Sequence, residues 1–219
     1  LRTMTEPTRA DVAIVGAGPA GAAAAITLAR AGRSVVLLDK ATFPRDKICG
    51  DGITTGALRI LEDLGVRPES VASWTEVSDI HVVSPSKHLA TFPLPRGRGQ
   101  FAAVMRRTDL DDAIVDQARQ AGATVIEGVE VIGAADGPAD VVLELSDGSS
   151  VIAPHAIAAD GMWSPMRKFL GTAVPGYLGE WHAFRQYFRD VGPKARELWV
   201  WFEPDLLPGY AWSFPLPDG

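Results

Sequence analysis

Over the first forty residues, apolar runs broken by glycines spell out three elements. Val12 to Val15 form a short β-branched run with no polar face, the pattern of a strand buried on both sides. Ala22 to Ala31 continue as an alanine-rich helical stretch that stops at Gly32, and Ser34 to Leu38 read as a second apolar strand ending at Asp39. Gly16, Gly18 and Gly21 stand between the first strand and the helix as G-x-G-x-x-G. Strand, glycine turn, helix and strand in this order predict a βαβ unit.

Farther along, the period changes. A charged, glycine-rich loop over 41–56 leads to a helical pattern from Ala57 to Leu64 that Gly65 closes. Residues 77–104 carry two strand-like runs, IHVVS and LATFPLP, separated by Pro85 and followed by a Gly/Arg-rich loop over 96–99. Leu110, Ala113, Ile114 and Ala118 then recur at helical spacing, with Thr108 or Asp109 as the expected cap and Gly122 as the stop. ATVIEGVEVIGAA, DVVLELSDGSSVIA with its Asp147-Gly148 turn signal, and HAIAAD predict a run of strands. Four of the six tryptophans, Trp181, Trp199, Trp201 and Trp212, fall in the last 45 residues. Their alternation in ELWVWFE suits a sheet with one aromatic face, either a packed layer or the wall of an apolar pocket.

Bulk properties narrow the function classes. A chain of 219 residues that is 47% apolar can fill one large core or two small ones. A net charge of −6 leaves no basic stripe to neutralise phosphates, so no nucleic-acid partner is expected. One cysteine excludes an internal disulfide framework and fits a reducing cytoplasm. Leu1 to Arg9 lack the apolar core of a signal peptide, and glycines and Pro19 interrupt the most apolar stretch, so no spanning helix is predicted. Peripheral contact with a membrane is compatible with this composition, and no metal is expected.

The glycine turn carries the first chemistry. Gly16 makes the tight turn, Gly18 lets the backbone approach a pyrophosphate, and Gly21 lets helix and strand pack closely. Pro19 and Ala20 open the helix, whose amino end offers unpaired N–H groups and a positive dipole end to phosphate. Asp39, 18 residues past Gly21, sits near the place of an acid that accepts ribose hydroxyls. A second segment, Ala158 to Arg167, ends a strand in an Asp160-Gly161 turn, and Ser164 with Pro165 opens a helix. Asp160 can take a hydrogen bond from a cofactor hydroxyl, and Gly161 permits close approach. A third segment, Phe43 to Gly52, places Cys49 in a glycine-flanked loop beside Lys47 and Arg45, surroundings that favour a thiolate.

These segments, with Arg107 in R-T-D-L-D and the late GYAWSFPLPDG, resemble geranylgeranyl reductases, a branch of the FAD-dependent enzymes with the para-hydroxybenzoate hydroxylase fold. The Cys-Gly-Asp-Gly loop and the Tyr210-x-Trp212-x-Phe214-Pro215 stretch are the most discriminating parts. The resemblance implies an α/β, Rossmann-like FAD-binding domain interleaved with a mainly antiparallel, substrate-covering sheet. The expected division is 1–76 with 100–172 for the FAD domain, and 77–99 with 173–219 for the sheet. It implies that FAD lies against Gly16 to Gly21, Asp39 and Lys40, the loop Lys47, Ile48, Cys49, Gly50 and Asp51, then Arg107, the backbone near Val131, and Asp160–Gly161. Cys49 would lie near the flavin. Trp199, Trp201, Tyr210, Trp212 and Phe214 would line the substrate pocket.

The activity so implied is reduction of isoprenoid C=C bonds, on a geranylgeranyl or menaquinone-like chain, by hydride transfer from reduced flavin. No second G-x-G-x-x-G is present, so NAD(P)H would dock transiently near the flavin as reductant, or reduction would come from another donor. The substrate would be a hydrophobic small molecule or lipid, met in the cytoplasm and at the inner face of the membrane. The cofactor motifs serve equally a flavin monooxygenase or halogenase acting on an aromatic or polyketide substrate; the cysteine loop favours the reductase. A non-catalytic flavin-binding fragment is the third reading. Members of this family run on past the FPxxDG strand to a second glycine-aspartate motif, and the Asp218-Gly219 turn calls for a partner strand. The expectation is therefore that the remainder of the chain is missing from these 219 residues.

Overall fold

The computed structural model describes residues 6–95, 99–177, 179 and 182–217. Two compact units partition the chain, each made of two separated stretches: 1–45 with 111–181, and 46–110 with 182–219. The anticipated division placed 46–76 and 100–110 in the FAD domain. In the structure these stretches pack within the second unit: Ala102–Val104 pairs antiparallel with both Gly52–Thr54 and Thr75–Glu76, and Val104 shares a core with Val77 and Leu198. Residues 96–98 of the predicted loop 96–99, Trp181 and the Asp218-Gly219 turn lie outside the described residues.

The first unit is built on a four-stranded parallel sheet in the order His155–Ala158, Val12–Val15, Val35–Leu38, Thr124–Ile126. Both inner strands are buried along their whole length, as unalternating apolar runs require. Helix Pro19–Arg30 covers one face with Ala22, Ala25 and Ile26, whose spacing puts them on one stripe. The helix ends where the Arg33 N–H reaches the Leu28 carbonyl, with Gly32 at φ +78°. A second sheet, in the order Thr8–Arg9, Ser150–Ala153, Val141–Leu145, Val131–Asp136, contributes Val131, Leu143, Leu145 and Val151 to a core shared with Ala13, Val15, Val36 and Leu38.

The second unit holds the three-stranded antiparallel sheet just described, helix Thr55–Asp63, and a four-stranded sheet. The strands of that sheet run in the order Ala211–Ser213, Leu198–Trp201, Asp79–Val83, Leu89–Pro93. Two of its three pairings are antiparallel; Leu198–Trp201 runs parallel to Asp79–Val83. Val77, Val104 and Leu198 form its buried centre. The predicted helix with its cap at Thr108 or Asp109 begins earlier, at Arg107, because the Arg106 carbonyl accepts from the Asp109 and Leu110 N–H groups.

The single aromatic face expected from ELWVWFE resolves into two. Trp199 and Trp201 stack with ring centroids 5.8 Å apart, and His81 stacks on Trp199 at 4.4 Å. Trp212 pairs in register with Val200, so it shares the opposite face. There it continues a ladder of Tyr210, Trp212 and Phe214, with centroids 5.2 and 5.7 Å apart.

Candidate functional site

In the first unit, the three fingerprint glycines divide by what demands them. A Cβ on Gly16, which sits at φ +99°, would lie 2.4 Å from the Ala159 carbonyl oxygen. One on Gly21 would lie 1.8 Å from the Gly16 oxygen. The fold itself forbids both. At Gly18 the nearest atom is Arg45 Nη2 at 3.7 Å, an ordinary contact. The protein leaves that side of the turn open, and no side chain caps the amino end of helix Pro19–Arg30, where Pro19 and Ala20 are exposed. An open glycine cradle at an uncapped helix start fits a pyrophosphate.

Asp39 holds the cradle from below. Its Oδ2 accepts from the Ala17 N–H at 2.8 Å and its Oδ1 from the Ala41 N–H at 2.9 Å. Each oxygen keeps a lone pair for a ribose hydroxyl. The neighbouring Lys40 pairs with Glu130 across 3.6 Å between half-exposed groups, which adds little stability. Val131 itself is core, its backbone paired with Leu145, while Val129 donates its N–H to the Asp39 carbonyl. Asp160 caps the short helix Pro165–Phe169 by accepting from the Met166 N–H at 3.0 Å. Ser164 does the same for Arg167. With Gly161, Met162, Arg167 and Tyr177 they border a cavity of about 480 Å³.

Arg45, expected beside Cys49, instead sits near the glycine turn. Its guanidinium bonds Asp111 at 2.7 Å and lies over the Phe43 ring at 4.9 Å, beside Gly18. Asp111 is fully buried, so this pair is fixed in place rather than a surface contact. The sequence signal was the arginine after Phe43-Pro44, but its partner lies 66 residues on.

The second unit gathers the cysteine loop. Asp51 is 4% exposed and adopts φ +58°. Its carboxylate accepts from the Tyr187 hydroxyl at 2.8 Å and from Arg185 at 3.4 Å. Arg185 also donates to the Lys47 carbonyl at 3.2 Å and to Asp46. Burial pushes the Asp51 carboxyl above its ordinary value, against the pull of Tyr187 and Arg185. Burial opposes the charge on Asp46 too, but hydrogen bonds from Arg185 and the Lys47 N–H outweigh it and hold that carboxyl low. Burial likewise works against the Arg185 charge, yet Asp46 and Asp51 keep the guanidinium above its usual value. Burial and the hydrogen bond to Asp51 raise the Tyr187 hydroxyl well above the ordinary tyrosine value.

Gly50 and Gly52 make room for rings. A Cβ on Gly50 would lie 3.1 Å from Trp212, and one on Gly52 2.9 Å from Phe214. These glycines let the loop lie flat against the Tyr210–Trp212–Phe214 ladder. Next to it opens a cavity of about 660 Å³ whose walls include Phe184, Phe188, Trp201, Trp212 and Phe214, with Arg185 and Tyr187 at its polar side. Trp199, 7% exposed, is buried against His81. Tyr210 is exposed, its ring tilted against those of Phe202 and Trp212. Cys49 and Ile48 are exposed on the loop. Arg107, at the start of its helix, adds its charge to the field that holds Asp46 ionised. Among the described residues, no group of His, Cys, Asp and Glu could hold a metal ion, and no helix is long and apolar enough to cross a membrane.

Residues 9–205 match the family model described as FAD binding domain. A menaquinone reductase of Mycolicibacterium smegmatis is 39% identical, over 97% of this chain and 53% of its own length. A digeranylgeranylglycerophospholipid reductase of Methanopyrus kandleri is 33% identical, over 94% of this chain and 54% of its own. The crystal structure of a geranylgeranyl bacteriochlorophyll reductase-like protein from Thermoplasma acidophilum superposes with a TM-score of 0.76 at 23% identity, over 97% of this chain and 55% of that one. It shares the fold. The chain spans about half the length of the curated relatives it matches.

Proposed function

Because the chain belongs to the FAD binding domain family, we propose that the protein carrying it is an FAD-dependent reductase of isoprenoid C=C bonds. The observation that carries this reading is the cavity of about 660 Å³ beside the cysteine loop, whose aromatic walls suit an apolar chain. The two relatives named as reductases of a menaquinone and of a geranylgeranyl lipid support the same substrate class.

Bound FAD supplies the two-electron chemistry. This chain supplies the hold and the surroundings. The Gly18 backbone and the helix start receive the pyrophosphate, Arg45 offsets its charge, and Asp39 accepts from the adenosine ribose. The rings of Trp212 and Phe214 give an alkene an aromatic wall. NAD(P)H acts as a transient reductant, in the cytoplasm and at the inner face of a membrane that carries the lipid chain.

The test is anaerobic incubation of the flavin-loaded protein with NADPH and a polyprenyl quinone or geranylgeranyl lipid, read by mass spectrometry. Product should gain the mass of two hydrogens per reduced bond. Substrate recovered unchanged would overturn the reductase, and substrate consumed only in a parallel aerobic incubation with uptake of O2 would replace it with the monooxygenase.

A further inference from the structure

Arg185 does something that neither cofactor binding nor a pocket wall requires. From one side chain, 12% exposed, it reaches three acceptors on a single loop: the Asp46 carboxylate, the Lys47 carbonyl and the Asp51 carboxylate. These acceptors bracket Ile48, Cys49 and Gly50. The guanidinium also lies over the Tyr187 ring at 4.5 Å, and the Tyr187 hydroxyl takes a second oxygen of Asp51. Arg106 faces the same ring at 5.7 Å. The loop thus has an ionic tie at each end, both delivered by residues more than 130 positions later.

We propose that Arg185 is a positioning residue that clamps loop 46–51, so that the placement of Cys49 and Gly50 beside the aromatic cavity depends on a guanidinium from the irregular segment 182–188. A planar fork is required. The three acceptors lie in different directions, and a lysine ammonium reaching one of them must abandon the others. Tyr187 is the second part of the clamp, since it fixes Asp51 in the orientation that meets Arg185. The clamp is independent of which substrate the cavity takes.

Hydrogen–deuterium exchange on the flavin-loaded protein reads the clamp without turnover. In Arg185→Lys, amides of 46–52 should exchange about tenfold faster or more, while those of strands Ala102–Val104 and Leu198–Trp201 keep their protection. Asp46→Asn, at a half-exposed side chain, provides a variant that folds without stranding a buried charge, and it should accelerate the same peptide. The double variant should add nothing to Arg185→Lys, because both changes open one tie. Unchanged exchange of 46–52, additive acceleration, or equal acceleration across the strands would each overturn the clamp. Turnover reads its catalytic consequence, which rests on the reading above: kcat for an isoprenoid substrate should fall about tenfold in Arg185→Lys with the FAD dissociation constant unchanged. A wild-type protein without turnover counts against that reading alone, and the exchange result still decides the clamp.

Discussion

Gly18→Ala separates what the fold needs from what a bound nucleotide needs. The new methyl would lie 3.7 Å from Arg45 Nη2 and meet nothing else within contact range, so folding should tolerate it. Alanine is a poorer helix cap than glycine by somewhat under about 1 kcal/mol. It also narrows the unfolded ensemble, which returns about 0.4–1 kcal/mol. The two nearly cancel, and the melting temperature of the flavin-free protein should move by no more than about 2–4 °C. Binding is another matter. A methyl on the open side of the turn keeps a pyrophosphate from the helix-start N–H groups, and each hydrogen bond to a charged group contributes about 1.5–3 kcal/mol. Losing one or two of them weakens FAD by about a hundredfold or more, measured by flavin fluorescence quenching. Gly21→Ala is the control: its Cβ would lie 1.8 Å from the Gly16 oxygen, so that variant should fail to fold. A Gly18→Ala protein that binds FAD within threefold of wild type would refute the reasoning, as would one that melts with Gly21→Ala.

Arg45→Met removes a cation from the fully buried Asp111 carboxylate and should lower stability in urea unfolding, most of the loss recovered by Asp111→Asn in the same chain. Gly52→Ala drives a methyl to 2.9 Å from Phe214 and should destabilise by about 1–3 kcal/mol, with Phe214→Leu relieving the clash; a neutral Gly52→Ala would show the ring yields freely. Stability should also depend on pH through the two loop acids in opposite directions. Asp46 is held low when folded, so its contribution is complete above about pH 4 and disappears as pH falls through its folded value; Asp46→Asn should flatten the acid limb. Asp51 is raised when folded, so its contribution is present below about pH 4 and is lost as pH rises through its folded value; Asp51→Asn should remove that decline. Matching acid limbs in urea titrations of wild type and Asp46→Asn would disprove the first assignment.

What the sequence discloses here tracks how local each interaction is. The βαβ unit was legible because strand, turn, helix and acid occupy 30 consecutive residues and each answers to a short-range rule. Asp39 and Asp160 stand at the ends of strands with their glycine turns beside them, and in the structure they accept from the Ala17 and Met166 N–H groups. Arg45–Asp111 and Arg185–Asp51 were illegible for the opposite reason: an ion pair 66 or 134 residues apart leaves no mark on either segment alone. The glycines of Cys49-Gly50-Asp51-Gly52 show a subtler limit. A glycine announces that something comes close, and only the fold reveals that here it is the rings of Trp212 and Phe214. Alternation placed Trp199 and Trp201 on one face correctly. It could not place Trp212, whose face is set by pairing opposite Val200.

The strand order of the parallel sheet bears on how the protein is made. Val12–Val15 leaves the ribosome well before one of its two neighbours, His155–Ala158, and before the Ala159 carbonyl that backs Gly16. At about 5–20 residues per second, those residues emerge many seconds after the glycine turn has been synthesised. Until then the turn has its sequence but not its rear wall, and the nascent chain has an exposed, fully apolar strand edge. The glycine turn thus matures only when the later strand arrives, and nucleotide capture must wait for the chain to return to it.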